Sequence, residues 1–257
     1  MPIIDVHTHP ILRHDHRGRA GADQLIARAK ARAIRHIVVL GDVLAFGRSP
    51  NATGLRTINN ETYELMQRHP GFITGFCHLN PTLGARAVWQ ETERCVARGF
   101  RGLKLEIANN AADPCMRPLM EAARKHRLIV LQHAWSMTKI GERAFHTDPE
   151  DVATLAHRFP DVRIIMAHLT GDGVRGVQAV KSCPNVWVDT SGAAPESGIV
   201  EYAVEQLGAD RILYGSDVPI RDFGVAIARI TGSRLDAATK QKILHDNAAQ
   251  LLGLAPS

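Results

Sequence analysis

Eight short apolar runs, each rich in Ile, Val and Leu, recur along the chain and constrain its fold more than any other feature. They span residues 3–6, 37–40, 72–76, 102–105, 128–131, 164–167, 186–188 and 212–214. Their hydrophobicity is nearly continuous, which is typical of parallel strands buried on both faces. Helix-length patterns separate the runs, for example at residues 85–98, 117–126, 149–158 and 198–207. The repeat predicts eight βα units.

These units predict an α/β fold, a single closed (β/α)8 TIM barrel that covers residues 1–257 as one domain. No linker, low-complexity segment or shift in composition divides the chain, and single barrels commonly have this length. An open, doubly wound sheet is the rival architecture. We expect a last amphipathic helix over residues 236–252, ended by Gly253. The longest loops, residues 10–21 and 41–54, would help to roof the catalytic face.

Composition limits the class of protein and its partners. Hydrophobic residues make up 45% of the chain and charged residues 22%, which excludes disorder, collagen and a coiled coil. The sequence contains neither an apolar run long enough to span a membrane nor a signal peptide, so we expect a soluble, cytoplasmic protein without a membrane partner. The net charge of +5 is diffuse and aromatic residues are few, so no nucleic-acid partner is expected. A small-molecule substrate is expected, and a homo-oligomer stays open.

Ionisable residues stand at the carboxyl ends of five predicted strands, which converge on one mouth in a barrel. They are His7, His9, Lys104, His133, His168 and Asp217. Strand alternation puts His7 and His9 on one face, where two imidazoles can hold one ion. Each residue alone could be a hydrogen-bonded structural group or a cap, but the set predicts a divalent metal site. Imidazole and carboxylate ligands favour zinc, with manganese, cobalt or nickel as alternatives.

Lys104 has two possible roles, because an ammonium group repels a cation. If CO₂ carbamylates the amine, Lys104 becomes an anionic ligand able to bridge two metal ions about 3.5–4 Å apart. If the amine stays cationic, Lys104 binds a carboxylate or phosphate of the substrate. Glu106, two residues further along the strand, is a second carboxylate at the same face.

Basic and aromatic residues in or near the predicted mouth loops bear on the substrate. They are Arg13, His14, His16, Arg48, Trp135, Arg143, Arg175 and Arg221. Each one alone is explained by a solvated surface. Together they favour a carboxylated or phosphorylated substrate.

Seven segments of the chain resemble the amidohydrolase superfamily of metal-dependent barrel hydrolases, in particular its amidohydrolase-related (amidohydrolase 2) branch. They are residues 4–9 (IDVHTH), 99–105 (GFRGLKL), 131–133 (LQH), 165–168 (IMAH), 188–192 (VDTSG), 212–217 (ILYGSD) and 247–254 (NAAQLLGL). The resemblance spans nearly the whole chain, and the combination is far more specific than any one motif.

The resemblance implies a centre with one or two metal ions. The implied ligands of the first ion are His7, His9 and Asp217. The implied ligands of a second ion are His133 and His168, bridged to the first by carbamylated Lys104. Some members, decarboxylases among them, are mononuclear: their ligands match His7, His9, His133 and Asp217, and the residue that matches His168 is free as an acid or base. This branch often has a His-Pro pair where this chain has Glu106 and Ile107, so the number of ions stays open.

The resemblance thus implies a metal-dependent hydrolase that uses metal-activated water to cleave a small anionic ester, lactone, amide or phosphoester. Asp217 would accept the proton of that water, and His168 would help to polarise the scissile bond. The alternative is a metal-dependent, non-oxidative decarboxylase of a small carboxylic acid, with His168 handling the proton.

Two readings outside this chemistry have less support. Gly171, Gly173 and Gly176 fit a GxGxxG pattern, and Asp189 follows at the distance expected of a nicotinamide site. The glycines trail their strand by several residues, and too little chain follows for a dinucleotide domain, so we expect them to shape a flexible loop over the metal. A barrel that only binds a ligand would not need so many ionisable residues at its strand ends.

Overall fold

Eight parallel strands, each paired with the next strand in sequence, form one continuous sheet in the computed structural model. The structure describes residues 1–12, 18–43, 45–105, 109–136, 146–194 and 196–254. The strands are β1 (Ile3–Thr8), β2 (Ile34–Val39), β3 (Ile73–Leu79), β4 (Gly102–Leu105), β5 (Ile129–Gln132), β6 (Ile164–Met166), β7 (Val186–Asp189) and β8 (Ile212–Leu213).

Helices alternate with the strands. They are α1 (Gly18–Lys30), α2 (Ala52–Arg68), α3 (Ala85–Ala97), α4 (Arg117–His126), α5 (Pro149–Arg158), α6 (Leu169–Ala179), α7 (Ile199–Leu207), α8 (Phe223–Thr231), α9 (Ala237–Gln241) and α10 (Asn247–Leu252). Within the described ranges, no helix combines the length and the apolar character that crossing a membrane requires.

The sheet closes where β1 meets β8 and the residues that follow it. The backbone N–H of Val6 donates to the carbonyl of Tyr214 at 3.0 Å, and the N–H of Asp217 donates to the carbonyl of His7 at 2.8 Å. These bonds join the first and eighth strands, which an open sheet would leave apart. The predicted (β/α)8 barrel is therefore confirmed, and the doubly wound alternative is excluded.

Two apolar clusters hold the barrel together, because successive side chains of a strand point to opposite faces. The larger cluster lies between the strands and the surrounding helices. The smaller cluster lines the inside of the barrel and includes Ile4, Phe76 and Leu131. Leu251 and Leu252 of α10 join this inner cluster, so α10 covers one end of the barrel interior.

Several predicted boundaries differ from the observed ones. β3 runs to Leu79, three residues beyond the predicted end, because pairing with β4 continues through the polar His78. The predicted helix over residues 236–252 is divided into α9, one π-helical turn (Lys242–Asp246) and α10. Gly253 ends α10 in the left-handed conformation, with φ of 63°, as expected of a C-terminal glycine.

The prediction that Gly171 and Gly173 shape a flexible loop is also wrong. Both glycines lie in α6, which begins directly after His168, and Gly173 interrupts its helical backbone with φ of 57° and ψ of −149°. A Cβ atom at Gly171 would lie 2.3 Å from the ring of Trp135. The missing side chain at Gly171 therefore serves close packing of Trp135 against the start of α6.

A buried carboxylate, Glu91, joins α2 to α3. Its Oε1 atom accepts a hydrogen bond from the Asn59 amide at 2.7 Å, and its Oε2 atom accepts one from Arg94 Nε at 2.8 Å. Burial alone would raise the pKa of Glu91, but these hydrogen bonds outweigh burial and lower the pKa. The ionised form of Glu91 thus stabilises the fold.

We expect Glu91→Gln to lower the free energy of unfolding by about 2–3 kcal/mol at pH 7, because Arg94 and Asn59 lose a charged acceptor. Urea denaturation measures the loss. The matched control is Glu93→Gln, which removes only an exposed ion pair with Lys125 and should cost under about 1 kcal/mol. Since folding lowers the pKa of Glu91, its contribution is present above the ordinary carboxyl pKa and is lost as pH falls. Equal losses in the two variants, or a loss independent of pH, would contradict this role.

Candidate metal centre

The carboxyl ends of the strands bring the six predicted site residues to the same end of the barrel. Regular pairing of β1 with β2 is interrupted between Asp5 and Thr8; His7 lies at this interruption, and His9 directly follows β1. Asp217 follows β8 and has a left-handed backbone, with φ of 59°. The ligand atoms of His7, His9 and Asp217 lie within 4.8 Å of one another, and all three residues are buried.

Three imidazoles share one arrangement of hydrogen bonds. Their Nδ1 atoms each face an oxygen: His7 faces Asp189 at 2.8 Å, His9 faces the Gly41 carbonyl at 2.7 Å, and His168 faces the Ala134 carbonyl at 3.2 Å. Carbonyl and carboxylate oxygens only accept hydrogen bonds, so Nδ1 is the protonated nitrogen in each ring. The Nε2 atom of each neutral ring therefore carries a free lone pair.

All three Nε2 atoms face the carboxylate of Asp217. His7 Nε2 and His9 Nε2 lie 3.5 and 3.7 Å from Asp217 Oδ1, and His168 Nε2 lies 3.8 Å from Oδ2. Lone pairs that converge on an anion repel it unless a cation or protons stand between them. Buried imidazole nitrogens and a carboxylate oxygen are a donor set that divalent zinc or manganese accepts. The residues present therefore fit a metal ion.

His133 and Lys104 lie beside this group. The ring of His133 is 4.6 Å from that of His168, centroid to centroid, in an edge-to-face arrangement. Lys104, on β4, is 1% exposed and pairs in register with His78 on β3. Within the described part of the chain, no carboxylate or thiolate completes a second three-ligand group around His133 and His168. A second ion would therefore depend on carbamylation of Lys104.

Burial keeps most of these imidazoles neutral. It lowers the pKa of His9 and of His133 well below the ordinary value, and the nearby charge of Lys104 contributes to both shifts. Burial, together with the charge of His7, lowers the pKa of His168 to about 4. Neutral imidazoles are the form that binds metals. These three rings are thus available as ligands or proton acceptors at neutral pH.

His7 differs from the other three because two carboxylates flank it. Burial would lower its pKa, but the charges of Asp189 and Asp217 outweigh burial and raise the pKa. Burial would likewise raise the pKa of Asp189, whereas the charge and hydrogen bond of His7 lower it. The pair therefore holds a proton on Nδ1 of His7, on the side away from Asp217.

The predicted loop residues have different surroundings. The side chain of Arg48 is exposed, and its Nη1 lies 3.1 Å from Nε2 of His146, which belongs to the loop between β5 and α5. Trp135 packs edge-to-face on His168, with ring centroids 5.6 Å apart. Arg175 is bound to Glu150 and Asp148 and so clamps α6 to the start of α5. Arg221 is exposed, and its guanidinium lies near the Ile220 carbonyl. The remaining predicted residues lie outside the described ranges: Arg13, His14, His16, Glu106, Ile107 and Arg143.

Several residues at this end of the barrel were not predicted from the sequence. His78 was not identified because the predicted third strand ended at residue 76. A histidine at the end of a strand was the signal that identified His133 and His168. His146 follows no strand and carried no signal. Asp189 ended a predicted strand, but its bond to His7 joins residues 182 positions apart, which no local pattern reveals.

Comparisons with known proteins agree with this fold. The amidohydrolase family model matches residues 4–254, and a search of curated proteins gives no significant match. The 2,6-dihydroxybenzoate decarboxylase from Rhizobium superposes with a TM-score of 0.78 at 18% identity, covering 99% of each chain.

Two further solved structures are similar over their whole length. A dihydroxybenzoic acid decarboxylase from Polaromonas sp. JS666, with bound manganese and the inhibitor 2-nitroresorcinol, has a TM-score of 0.75 at 18% identity, covering 100% of this chain and 98% of the other. A provisionally assigned 2-pyrone-4,6-dicarboxylic acid hydrolase from Pseudomonas putida has a TM-score of 0.71 at 19% identity, covering 100% and 99%. At these identities the likeness shows a common fold.

Proposed function

Because the chain belongs to the amidohydrolase family, we propose that it is a one-metal, non-oxidative decarboxylase of a small carboxylic acid. The observation that carries this proposal is the buried group of His7, His9 and Asp217 at the carboxyl ends of the strands, next to a neutral His168 and a buried lysine. Decarboxylases are prominent among the similar structures, and two of them contain manganese. The proposal therefore replaces hydrolysis, the first expectation from sequence, with its alternative.

His7, His9 and Asp217 would hold the ion, which suits zinc or manganese. When bound, a divalent ion supplies positive charge that stabilises the electron density left on the substrate. Lys104 would orient the acid by pairing with one of its anionic oxygens. His7 and His9 are 1% and 2% exposed. Binding in such a buried site removes water that would stabilise the localised charge of the carboxylate, which favours departure of neutral CO₂ and leaves the electron pair on the carbon.

The reaction breaks the bond between carbon and carboxylate, and CO₂ leaves. The carbon keeps the electron pair and takes one proton in exchange. The facing groups of Asp217 and His168, 3.8 Å apart, would deliver this proton and recover one from solvent. In the net reaction, one acid anion and one proton give one neutral CO₂ and one decarboxylated product.

Isotope labelling tests the proposal. The metal-loaded protein is incubated with hydroxybenzoic and unsaturated dicarboxylic acids, in D₂O and separately in H₂¹⁸O, and gas and product are analysed by mass spectrometry. We expect one CO₂ per product, one deuterium at the carbon that lost the carboxylate, and no ¹⁸O in the organic product. Protein stripped of metal by a chelator is the control and should be inactive until zinc or manganese is restored.

A second candidate is hydrolysis of a small anionic ester, lactone, amide or phosphoester. Two observations favour it: the similarity to a provisionally assigned lactone hydrolase, and the buried lysine that could be carbamylated. Asp217 would then accept the proton of the attacking water. One ¹⁸O in the product, without CO₂, from an ester or lactone panel would establish hydrolysis and overturn decarboxylation.

The hydrogen bond between Arg48 and His146 joins two loops at the same end of the barrel. His146 lies close enough to His133 for its charge to lower the pKa of His133. We propose that Arg48 binds a second acidic group of the substrate. For an acid with two acidic groups, Arg48→Met should raise KM about tenfold and leave kcat nearly unchanged, because a uniform binding contact is lost. Steady-state kinetics measure both constants. The exposed Arg221→Met is the matched control; an equal KM for the Arg48 variant and the native protein would refute the contact.

A further inference from the structure

Asp189 lies behind the metal-binding group, at the end of β7, and is fully buried. We propose that Asp189 is a positioning residue that fixes both the ring of His7 and the backbone of His168. This inference rests on the proposed binding of metal by His7. Asp189 would then act through His7 and His168, without itself binding the ion.

The two oxygens of Asp189 accept hydrogen bonds from several donors. Oδ2 accepts from Nδ1 of His7 at 2.8 Å. Oδ1 accepts from the backbone N–H of His168 at 3.2 Å and from the backbone N–H of Ser191 at 2.9 Å. The Ser191 hydroxyl also donates to Oδ1. One side chain of β7 thus joins the ligand of β1 to the residue that follows β6.

A carboxylate suits this position because every neighbour is a donor. The amide of asparagine has one acceptor oxygen and one donor nitrogen. If the amide oxygen of asparagine faced His7, its NH₂ group would face the N–H donors of His168 and Ser191. In the reverse orientation, the NH₂ group would face the N–H of His7 Nδ1. Either orientation leaves a buried donor opposite a donor, which is costly.

The bond to His7 selects the tautomer that the metal needs. With Nδ1 protonated against Asp189, the lone pair lies on Nε2, 3.5 Å from Asp217 Oδ1. Carboxylates that accept a hydrogen bond from a ligating imidazole fix its orientation and raise its basicity, and their loss typically weakens metal binding about 10–100-fold. Asp189 should therefore control metal affinity without contacting the ion.

The hydrogen bond from the backbone N–H of His168 to Asp189 stabilises an unfavourable backbone conformation. His168 has φ of 71° and ψ of 54°, a left-handed conformation that costs a residue with a side chain roughly 1–2 kcal/mol. Asp189 anchors its N–H, and the Ala134 carbonyl anchors its ring. Together these bonds direct Nε2 of His168 toward Asp217. The adjacent Gly215 leaves space for this arrangement, because a Cβ atom there would lie 3.0 Å from Cγ of Asp189.

The test uses the whole chain and the metal alone, without a substrate. The dissociation constant for Mn²⁺ or Zn²⁺ is measured by competition with a chromophoric chelator for the native protein, Asp189→Asn and Asp172→Asn. Asp172 is the matched control, because it is 2% exposed and its oxygens have no hydrogen-bond partner among the described residues. We expect about 10–100-fold weaker binding in Asp189→Asn and unchanged binding in Asp172→Asn.

Imidazole ¹⁵N spectra of the metal-free native protein give an independent readout, with His7 assigned through His7→Gln. We expect the neutral ring of His7 to carry its proton on Nδ1 in the native protein and to mix tautomers in Asp189→Asn. A neutral native His7 protonated on Nε2 alone would overturn the inference even if the variant failed to fold. Native-like affinity in Asp189→Asn, or equal weakening in Asp172→Asn, would also overturn it. Because no turnover is measured, failure of this inference is distinct from failure of the proposed decarboxylation.

Discussion

Asp217→Asn is expected to lower kcat by about 10³-fold, as typical for loss of a group that transfers a proton in the rate-limiting step. The amide keeps the size of the carboxylate but neither takes up nor releases a proton at neutral pH. It is also a weaker ligand, so CO₂ release must be measured at a metal concentration that saturates the variant. Asp210→Asn, which removes an exposed partner of Lys242, is the control and should retain native kcat.

The same experiment distinguishes proton transfer from ligation. If Asp217 and His168 act as one proton-transfer pair, the double variant Asp217→Asn/His168→Gln should be little slower than Asp217→Asn alone, because residues that act as a unit are strongly non-additive. Near-normal turnover of metal-saturated Asp217→Asn would remove Asp217 from the chemistry. Additive losses would show that the two residues act separately.

Lys104→Met is expected to lower kcat/KM by about 10²–10³-fold, equivalent to roughly 3–4 kcal/mol of lost transition-state binding. Methionine is unbranched and apolar, so it can fill the space of the buried side chain while removing its charge. Metal content per chain, measured by elemental mass spectrometry, should be one in the native protein and one in the variant. Lys125→Met, at an exposed position, is the control for a general loss of positive charge.

A different metal count would reverse the proposed function. Two ions per native chain, falling to about one in Lys104→Met, would indicate a carbamate bridge and hydrolysis. Protein prepared with ¹³C-bicarbonate gives a direct check, because a carbamylated lysine adds a new carboxyl carbon signal. We expect no such signal from Lys104. Its appearance, together with two ions, would contradict the one-metal decarboxylase.

The barrel could be predicted because its strands are continuous apolar runs. β4 was predicted at its observed bounds, residues 102–105, where glycine and leucine surround a single lysine. β3 was cut short because His78 interrupts the apolar pattern, although hydrogen bonding to β4 continues past it. The helix over residues 236–252 contains a π-helical turn, which hydrophobic periodicity does not report. The family resemblance read from seven motifs was confirmed by the family model.

The site could be predicted only as a set of residues. Parallel strands bring their carboxyl ends together, so His7, His9 and Asp217 could be grouped before their distances were known. Which nitrogen of His7 is free depends on Asp189, and the position of His168 depends on a left-handed backbone. Neither property is local in sequence. The covalent state of Lys104, and hence the number of ions, depends on chemistry that the sequence does not encode.

Closure of the barrel between β1 and the residues after β8 also bears on biosynthesis. His7 emerges from the ribosome long before Asp217, and the first strand lacks one of its two neighbours until the eighth has been made. Contacts between such distant segments form late and slowly, because the intervening loop must be closed first. Until then the chain has only part of its candidate metal-binding group, so a nascent chain could not hold the proposed ion in its mature setting. Capture of the metal would thus mark completed assembly, and metal-starved cells would accumulate chains that are fully synthesised yet more exposed to proteolysis, since a bound ligand stabilises only the folded state.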